Sequence, residues 1–242
     1  NFRNNYKEAY MRKCIDMGEG REIIISDKDT LKPDGTLEIP DIGLGEAYLG
    51  KASYVVYDEE DIDDDLLDLV YARKYNEPLV IARTERFIIR EMTVEDLPHL
   101  YELYQTLSDC PYVEPLYEYE DEKAFTIKYI ENMYGFFGYG LWLVLDKKTG
   151  ELVARAGIEN RSIDGQNCQE LGYLVKKSWQ GKHVAWEVMN HMVDIAKDRF
   201  GLEELYICTM KTNIPSIQLA LKLGFTLYAG DTDGMNIYRK FL

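Results

Sequence analysis

The chain has 242 residues, of which 46% are hydrophobic and 29% are charged, and its formal net charge at pH 7 is −15. These proportions are typical of a folded globular protein, and no apolar run reaches the roughly 18 residues needed to span a bilayer, so we expect no membrane partner. The acidic balance also argues against a nucleic-acid partner, because nucleic-acid binders present a basic face, and it favours cationic ligands such as amines.

The first third of the chain predicts a small α/β region. Residues 21–40 read as strand, turn and strand around Lys32-Pro33-Asp34-Gly35, and a glycine-bearing loop follows. Ser53–Tyr57 then predicts a strand, Asp63–Tyr75 a helix and Leu79–Ala82 a second strand, which together suggest a βαβ unit.

An acidic run, Asp58 to Asp65, precedes the predicted helix. It allows a cation site, but it lacks the ligand alternation and the central glycine of a calcium-binding loop. Carboxylates in the first turn of a helix are favoured by the helix dipole. The pattern therefore favours a helix start over a metal site, and we predict no bound metal.

The pattern changes after residue 83, where we place a domain boundary between a region 1–83 and a region 84–242. Thr93-Val-Glu-Asp96 is typical of a capping box that opens a helix. The second region alternates strands and helices. We predict strands at Phe87–Arg90, Leu141–Leu145, Leu152–Ile158, Glu170–Val175, Leu205–Met210, Phe225–Tyr228 and Asn236–Phe241, and helices from Thr93 to Leu107, Asp121–Tyr134, His183–Arg199 and Pro215–Leu223.

The most informative segment joins a strand, a tight loop and the start of a helix. Its strand is Glu170-Leu-Gly-Tyr-Leu-Val175, and its loop is Gln180-Gly-Lys-His-Val-Ala185. A helix start presents unpaired N–H groups and a partial positive charge, so a glycine-bearing loop that leads into one can bind an anion such as a pyrophosphate. Strand-loop-helix units with a glycine are common, so the loop alone is not decisive.

A second motif, Asn213-Ile-Pro-Ser216 continuing to Gly224-Phe225, follows the next strand. Together the two motifs resemble the Gcn5-related N-acetyltransferase (GNAT) superfamily over residues 84–242. The segments Glu-Leu-Gly-Tyr and Trp-Gln-Gly-Lys are similar to those of its ribosomal-protein N-terminal acetyltransferase (RimJ/RimL-like) branch. The resemblance implies the GNAT acyl-CoA N-acyltransferase fold, an α/β architecture with a mixed α+β sheet, preceded here by the small α/β region.

The resemblance implies that acetyl-CoA is the co-substrate and that backbone amides of the loop bind its pyrophosphate. His183 stands where relatives usually have a small residue; an ordinary helix-start role and a ligand contact are its alternatives. The strand is implied to diverge from its neighbour and to pair with the pantetheine arm. The residues implied in coenzyme binding are Leu171, Tyr173, Val175, Gln180, Gly181, Lys182, His183, Val184, Ala185, Asn213 and Ser216. Asn213 can also serve as an N-cap, and Ser216 can also cap the first turn.

Acetyl transfer requires a neutral amine, a stabilised oxyanion and a proton for the departing thiolate. Glu170 matches a position where relatives often carry a glutamate base, and Glu159 is the second candidate. Many relatives place a tyrosine acid where this chain has Ala220, which leaves water as the proton donor, or Tyr173 as a substitute. Aromatic core packing is the alternative role for Tyr173. Since no cysteine has a triad-like setting, we expect direct transfer without a covalent acyl-enzyme.

The acceptor is expected to be a primary amine on a protein N-terminus, a polyamine or another small molecule. We place its contacts at Tyr112, Glu114 and Tyr117, with a packed aromatic loop as the alternative. A competing hypothesis is a weakly active or inactive acetyl-CoA-binding sensor or interaction module. Residues 1–83 are also open to a partner-binding role, although no phosphate-binding glycine fingerprint favours nucleotide handling there.

Four cysteines, Cys14, Cys110, Cys168 and Cys208, stand far apart without a Cys-x-x-Cys pairing, and no signal-peptide pattern opens the chain. A reducing cytoplasm is therefore the predicted location. The first residue is Asn rather than Met, so we expect that residues can precede it. The sequence is compatible with a monomer or a dimer.

Overall fold

A computed structural model of the chain describes residues 11–230 and 234–242. The described residues form two compact units that divide between Leu79 and Val80. Within the described part of the chain, no helix is both long and apolar enough to cross a membrane.

The first unit contains a four-stranded sheet, a two-stranded hairpin and one helix. Its apolar core consists of Ile23, Ile25, Ile42 and Val70. The sheet has the order β1-β2-β5-β6, with β3 paired to β4. The elements are β1 (Arg12–Gly18), β2 (Arg21–Ser26), β3 (Thr30–Leu31), β4 (Leu37–Glu38), β5 (Ile42–Leu44), β6 (Tyr54–Val56) and α1 (Asp64–Tyr75).

The acidic run of this unit starts a helix, as the sequence favoured. Asp63 caps α1, because its Oδ1 accepts a hydrogen bond from the Leu66 N–H at 2.8 Å. Asp64 and Asp65 follow in the first turn. Among the described residues, no cluster of His, Cys, Asp and Glu gathers to hold a metal ion.

The second unit is built on an eight-stranded sheet with the order β13-β14-β12-β11-β10-β9-β8-β7. The β11–β12 pair is parallel, and every other neighbouring pair in this sheet is antiparallel. The strands are β7 (Val80–Arg83), β8 (Phe87–Arg90), β9 (Leu141–Asp146), β10 (Leu152–Ile163), β11 (Gln166–Val175), β12 (Glu204–Met210), β13 (Thr226–Gly230) and β14 (Met235–Phe241). The helices are α2 (Leu97–Gln105), α3 (Tyr119–Tyr129), α4 (Val184–Asp198) and α5 (Ile214–Lys222).

The predicted βαβ unit is wrong. Strand β6 belongs to the first sheet, whereas β7 belongs to the second and pairs antiparallel with β8. The short connection at residues 84–86 folds β7 back onto β8, and the Thr84 N–H donates to the Phe87 carbonyl at 2.9 Å. Strand β7 therefore pairs with β8, the next strand in the sequence, and not with β6.

The β10–β11 hairpin is longer than the sequence predicted. Its register runs from Ala154 opposite Val175 to Ile163 opposite Gln166. The turn residues Asp164 and Gly165 have φ of 51° and 79°, the positive values that a two-residue hairpin turn requires. The Asp-Gly pair was the sequence signal for this turn.

Helix α4 packs its apolar face against the sheet, as its spacing predicted. Val188, Met189, Met192 and Ala196 are buried, and α4 contacts both β10 and β11. Full burial of such side chains contributes about 1.5–3 kcal/mol for each Val or Met. This packing fixes the start of α4 beside the end of β11.

The predicted helix Asp121–Tyr134 is α3 continued by a π-helix at Ile130–Phe137, which ends at Gly138 with φ of 77°. A π-helix closes its hydrogen bonds between residues five apart rather than four. Tyr129 and Tyr134 therefore come together, with ring centroids 5.7 Å apart. No helical periodicity in the sequence indicated this change.

Candidate active site

Strands β11 and β12 open into a gap at the centre of the large sheet. Their ladder contains one residue pair, Glu170 with Tyr206. A cavity of about 200 Å³ lies where the strands part. Its walls include Glu170, Leu171, Gly172 and Tyr173 from β11, Cys208 from β12, and Asn213 and Ser216 from the start of α5.

The predicted phosphate loop connects the end of β11 to α4. The Gln180 side-chain amide donates to the Val175 carbonyl at 3.0 Å, which ties the loop to the strand that it leaves. Within the described part of the chain, the N–H groups of Val184, Ala185 and Trp186 meet no hydrogen-bond acceptor. Because three unpaired donors of a helix start point outward there, the loop retains the features of an anion site.

The loop is anchored by contacts that the sequence analysis missed. Glu187, in the first turn of α4, accepts hydrogen bonds from the Thr84 hydroxyl at 2.6 Å and from Arg86 Nε at 2.7 Å. Arg86 Nη1 also donates to the Lys182 carbonyl at 3.1 Å. Burial opposes ionisation of Glu187, but the bonds from Thr84 and Arg86 outweigh it and hold the pKa of this carboxyl below its ordinary value.

His183 occupies the N-cap position of α4 in the left-handed region, with φ of 60° and ψ of 17°. This conformation suits glycine, and it costs an ordinary L-residue about 1–2 kcal/mol. It explains why a small residue is favoured at this position. The His183 side chain is exposed and lines a separate cleft of about 410 Å³ together with Trp186 and Lys222.

The two predicted residues of α5 lie at the cavity. Asn213 is at the N-cap position, but its side chain makes no capping hydrogen bond. Ser216 is buried and hydrogen-bonds the Tyr173 hydroxyl. Ala220 is also buried and lies one turn after Ser216, on the same helical face. The Tyr173 hydroxyl therefore lies at the face of α5 that carries Ala220, the position where many relatives have a tyrosine.

Burial raises the pKa of Tyr173, and the hydrogen bond with Ser216 acts in the opposite direction. Of the other predicted strand residues, Leu171 also lines the cavity, whereas Val175 is buried away from it.

Glu170 is a paired carboxylate at the cavity wall. Its Oε2 lies 2.9 Å from Arg161 Nη1, and its Oε1 accepts the Cys208 N–H at 3.2 Å. The bond from the Cys208 N–H to the Glu170 side chain stands where a backbone–backbone hydrogen bond between β11 and β12 would otherwise form. Arg161 was not among the predicted site residues.

Glu159 lies directly opposite Glu170 in the antiparallel register of β10 and β11. The Tyr129 hydroxyl donates to Glu159 Oε1 at 3.0 Å. Burial raises the pKa of Glu159, while the bond from Tyr129 and the charge of Arg155 act in the opposite direction. The structure therefore brings the two predicted carboxylates together and gives them different environments.

The three predicted acceptor residues are separated by the structure. Tyr112 lines the cavity, and its hydroxyl donates to the Thr212 carbonyl at 2.9 Å. Glu114 and Tyr117 are exposed and do not line it. The Tyr117 ring instead packs edge-on against Phe125, with centroids 5.8 Å apart.

The comparisons with known proteins identify the family. The acetyltransferase (GNAT) domain matches residues 86–226, more than half of the chain, and the chain belongs to this family. The uncharacterized protein YkkB of Bacillus subtilis (strain 168) is 28% identical over 144 residues, which cover 58% of this chain and 82% of YkkB.

Two solved structures show the same fold. RimL, a ribosomal L7/L12 alpha-N-protein acetyltransferase, superimposes with a TM-score of 0.60 at 15% identity, covering 69% of this chain and 96% of RimL. The microcin C7 self-immunity acetyltransferase MccE, solved with acetyl-CoA and AMP, gives a TM-score of 0.53 at 18% identity, covering 65% and 93%. The predicted GNAT fold is confirmed, and ribosomal-protein acetyltransferases are among its structural neighbours.

Proposed function

We propose that residues 80–242 transfer the acetyl group of acetyl-CoA to a primary amine by direct attack on the thioester. The observation that carries the proposal is the gap after Glu170, because the cavity lies where β11 and β12 part, and the end of β11 leads into the loop that starts α4. The unpaired N–H groups of Val184, Ala185 and Trp186 suit the pyrophosphate. The unpaired edge of β11 beyond Glu170 offers backbone groups to the pantetheine amides.

The cavity chemistry supports an amine acceptor. Glu170 brings a negative charge to the wall, and Glu159 adds a second carboxylate next to it. Carboxylates attract an ammonium group and can accept its proton. Protein N-termini, polyamines and other small amines share this chemistry, and the family relationship to RimL-type enzymes supports testing peptide N-termini first.

Direct transfer is supported by the state of the cavity thiol. Burial and the neighbouring Glu170 raise the pKa of Cys208 to about 12. A thiol with such a pKa is almost entirely protonated at neutral pH and is a poor nucleophile. Cys208 is therefore unsuited to carry the acetyl group. Tyr173, kept protonated by burial, is the side chain we propose as hydrogen-bond donor to the departing sulfur.

Isothermal titration with acetyl-CoA tests the coenzyme site. The wild type should bind, Asn213→Ala should bind more weakly, and Gly181→Val combined with Ala185→Leu should not bind. Lys148→Ala, in the exposed β9–β10 turn, is the matched control and should bind like the wild type. No binding by the wild type would contradict the proposal.

An amine panel then tests turnover with acetyl-CoA. Peptides with free N-termini, spermidine and an aminoglycoside should be compared at equal concentration, with release of free coenzyme A as the readout. Transfer to any of them supports the proposed function. Tight coenzyme binding without transfer to any amine would instead favour the acetyl-CoA-binding module.

A further inference from the structure

Glu170 at the cavity wall and Glu159, which lies opposite it on β10, differ in which of their oxygens accept hydrogen bonds. Both Glu170 oxygens accept hydrogen bonds, one from Arg161 and one from the Cys208 backbone. A ligand amine would therefore have to compete with the Arg161 guanidinium and the Cys208 amide for both Glu170 oxygens. Glu170 is therefore suited to attract an ammonium group by charge rather than to remove its proton.

Glu159 has one oxygen fixed and the other directed toward β11. The Tyr129 hydroxyl accepts the Leu141 N–H at 2.7 Å, so its own single proton goes to Glu159 Oε1 at 3.0 Å. This bond can persist whether or not Oε2 carries a proton. Among the described residues, no group donates a hydrogen bond to Oε2.

Gly172 leaves open the space between this oxygen and the cavity. A Cβ built on Gly172 would lie 4.0 Å from Glu159 Oε2 and 3.3 Å from Leu141 Cδ2. Gly172 itself lines the cavity. A glycine inside a strand often marks the close approach of another group. Here it allows a small ligand group in the cavity to approach Glu159 Oε2.

Tyr129, the last residue of α3, is held in place by its contacts with Leu141 and with Tyr134 of the π-helix that follows it. Leu141 is tied to both tyrosines of the pair, because its N–H donates to Tyr129 and its carbonyl accepts from the Tyr134 hydroxyl. A Cβ on Gly140 would come within 2.7 Å of the Tyr134 ring and 3.0 Å of the Tyr129 hydroxyl. A π-helix with this packing is typical of functional sites.

We infer that Glu159 removes the proton from the acceptor amine, that Tyr129 is its positioning residue, and that Gly172 keeps the path between them and the cavity open. The inference rests on the proposed function and assigns the base within that site. Burial also favours this role, because it raises the pKa of Glu159 toward the range in which a general base works best.

The ammonium R–NH₃⁺ gives one proton to the Glu159 carboxylate, and the neutral amine forms an N–C bond to the thioester carbonyl. The C–S bond then breaks, and the electron pair leaves with the sulfur. A second proton from the nitrogen ends on that sulfur, so the products are the N-acetyl amine and free coenzyme A, and Glu159 returns its proton to solvent.

The test is the pH dependence of kcat/KM for acetyl transfer in four proteins. Relative to the wild type, Glu159→Gln should lower kcat at least a hundredfold, the scale of general-base catalysis. Tyr129→Phe removes a donor that favours the carboxylate, so the acidic limb of the profile should move to higher pH. Gly172→Ala should lower kcat at least tenfold, because its methyl group narrows the path to Oε2.

Two controls separate this role from folding and from the coenzyme site. Tyr139→Phe removes another buried hydroxyl bonded to β10, through Asn160 at 2.8 Å, and should leave the acidic limb in place. Affinity for acetyl-CoA should stay within about twofold in Glu159→Gln, Tyr129→Phe and Tyr139→Phe. Transfer by Glu159→Gln at the wild-type rate, or an unmoved limb in Tyr129→Phe, would overturn the inference alone. Absence of transfer by the wild type would contradict both the proposed function and this inference.

Discussion

Arg86 and Glu187, which are 101 residues apart in the sequence, are joined by an ion pair in which Nε and Oε2 lie 2.7 Å apart. The pair connects the start of β8 to the first turn of α4. Arg86 also binds the Lys182 carbonyl, so the same contact holds the loop that we propose for the pyrophosphate.

Glu187→Gln should therefore weaken both folding and coenzyme binding. Loss of the charged partner should lower the free energy of unfolding by about 1.5–3 kcal/mol, the scale of hydrogen bonds to charged groups. Chemical denaturation measures this loss, and titration with acetyl-CoA should show a severalfold higher Kd. Asp194→Asn, on the exposed face of α4, should change neither quantity. Equal effects from both variants would show that the Arg86 contact is not the cause.

The same ion pair predicts a pH dependence with a defined sign. The pKa of Glu187 is lowered in the folded protein, so the stabilisation is fully present above the unfolded-state pKa of about 4.3. It is lost as the pH falls through the lower, folded pKa. Melting temperatures of the wild type and Glu187→Gln should differ by a constant amount from pH 5 to 8 and converge below about pH 4. A difference that grows on acidification would contradict this assignment.

His183→Gly should stabilise the protein. Glycine adopts the left-handed conformation without the steric cost that histidine carries, and the net gain after its greater unfolded-state entropy should be about 1 kcal/mol. The expected rise in melting temperature is about 2–4 °C for a domain of this size. His183→Ala removes the imidazole but keeps the Cβ, so it should not reproduce the gain. If the melting temperature rises in both variants, the destabilisation comes from the imidazole ring of His183 rather than from its backbone conformation.

Tyr173→Phe should lower kcat about tenfold with little change in acetyl-CoA affinity, if the hydroxyl stabilises the departing sulfur. The effect should be moderate, because a thiol with a pKa near 8.5 is already a tolerable leaving group. Ser216→Ala removes the partner of this hydroxyl but keeps the hydroxyl, so its loss in kcat should be smaller. Single-turnover kinetics under saturating coenzyme would compare the two. A larger loss in Ser216→Ala would exclude Tyr173 as the donor.

Cys208 should resist alkylation. With a pKa of about 12, its thiolate fraction at pH 8 is roughly a thousandfold below that of an ordinary cysteine. Peptide mapping after timed iodoacetamide treatment measures the rate against free cysteine. Incubation with acetyl-CoA should also leave Cys208 without an acetyl group. An acetylated Cys208 that forms faster than product would contradict direct transfer.

The sequence was sufficient to predict the element order of residues 84–242 and the family. Its helices and strands are long and periodic, and the loop at 180–185 and the motif at 213–225 have a fixed order. The extent of β10 was missed, because beyond Ile158 the strand turns to polar residues on its exposed face. Such a strand is stabilised by its partner across the hairpin rather than by its own pattern.

The partners of the site residues could not be predicted. The sequence does not show whether the tyrosine at position 129 fills a core or binds a carboxylate, because its bond to Glu159 joins residues 30 positions apart. The Arg86–Glu187 pair likewise depends on a packing between distant segments. Gly157 and Gly172, each isolated inside a predicted strand, were local signals of a close approach that the sequence did contain.

The single residue pair between β11 and β12 also divides the large sheet into a five-stranded part and a three-stranded part. Separating β12–β14 from the rest breaks far fewer backbone hydrogen bonds than opening the β10–β11 hairpin, which holds ten residue pairs. Amide hydrogens in β12–β14 should therefore exchange with solvent as one cooperative group, before those of β10. The weakly paired boundary inside the large sheet therefore runs along the wall of the cavity that we propose as the active site.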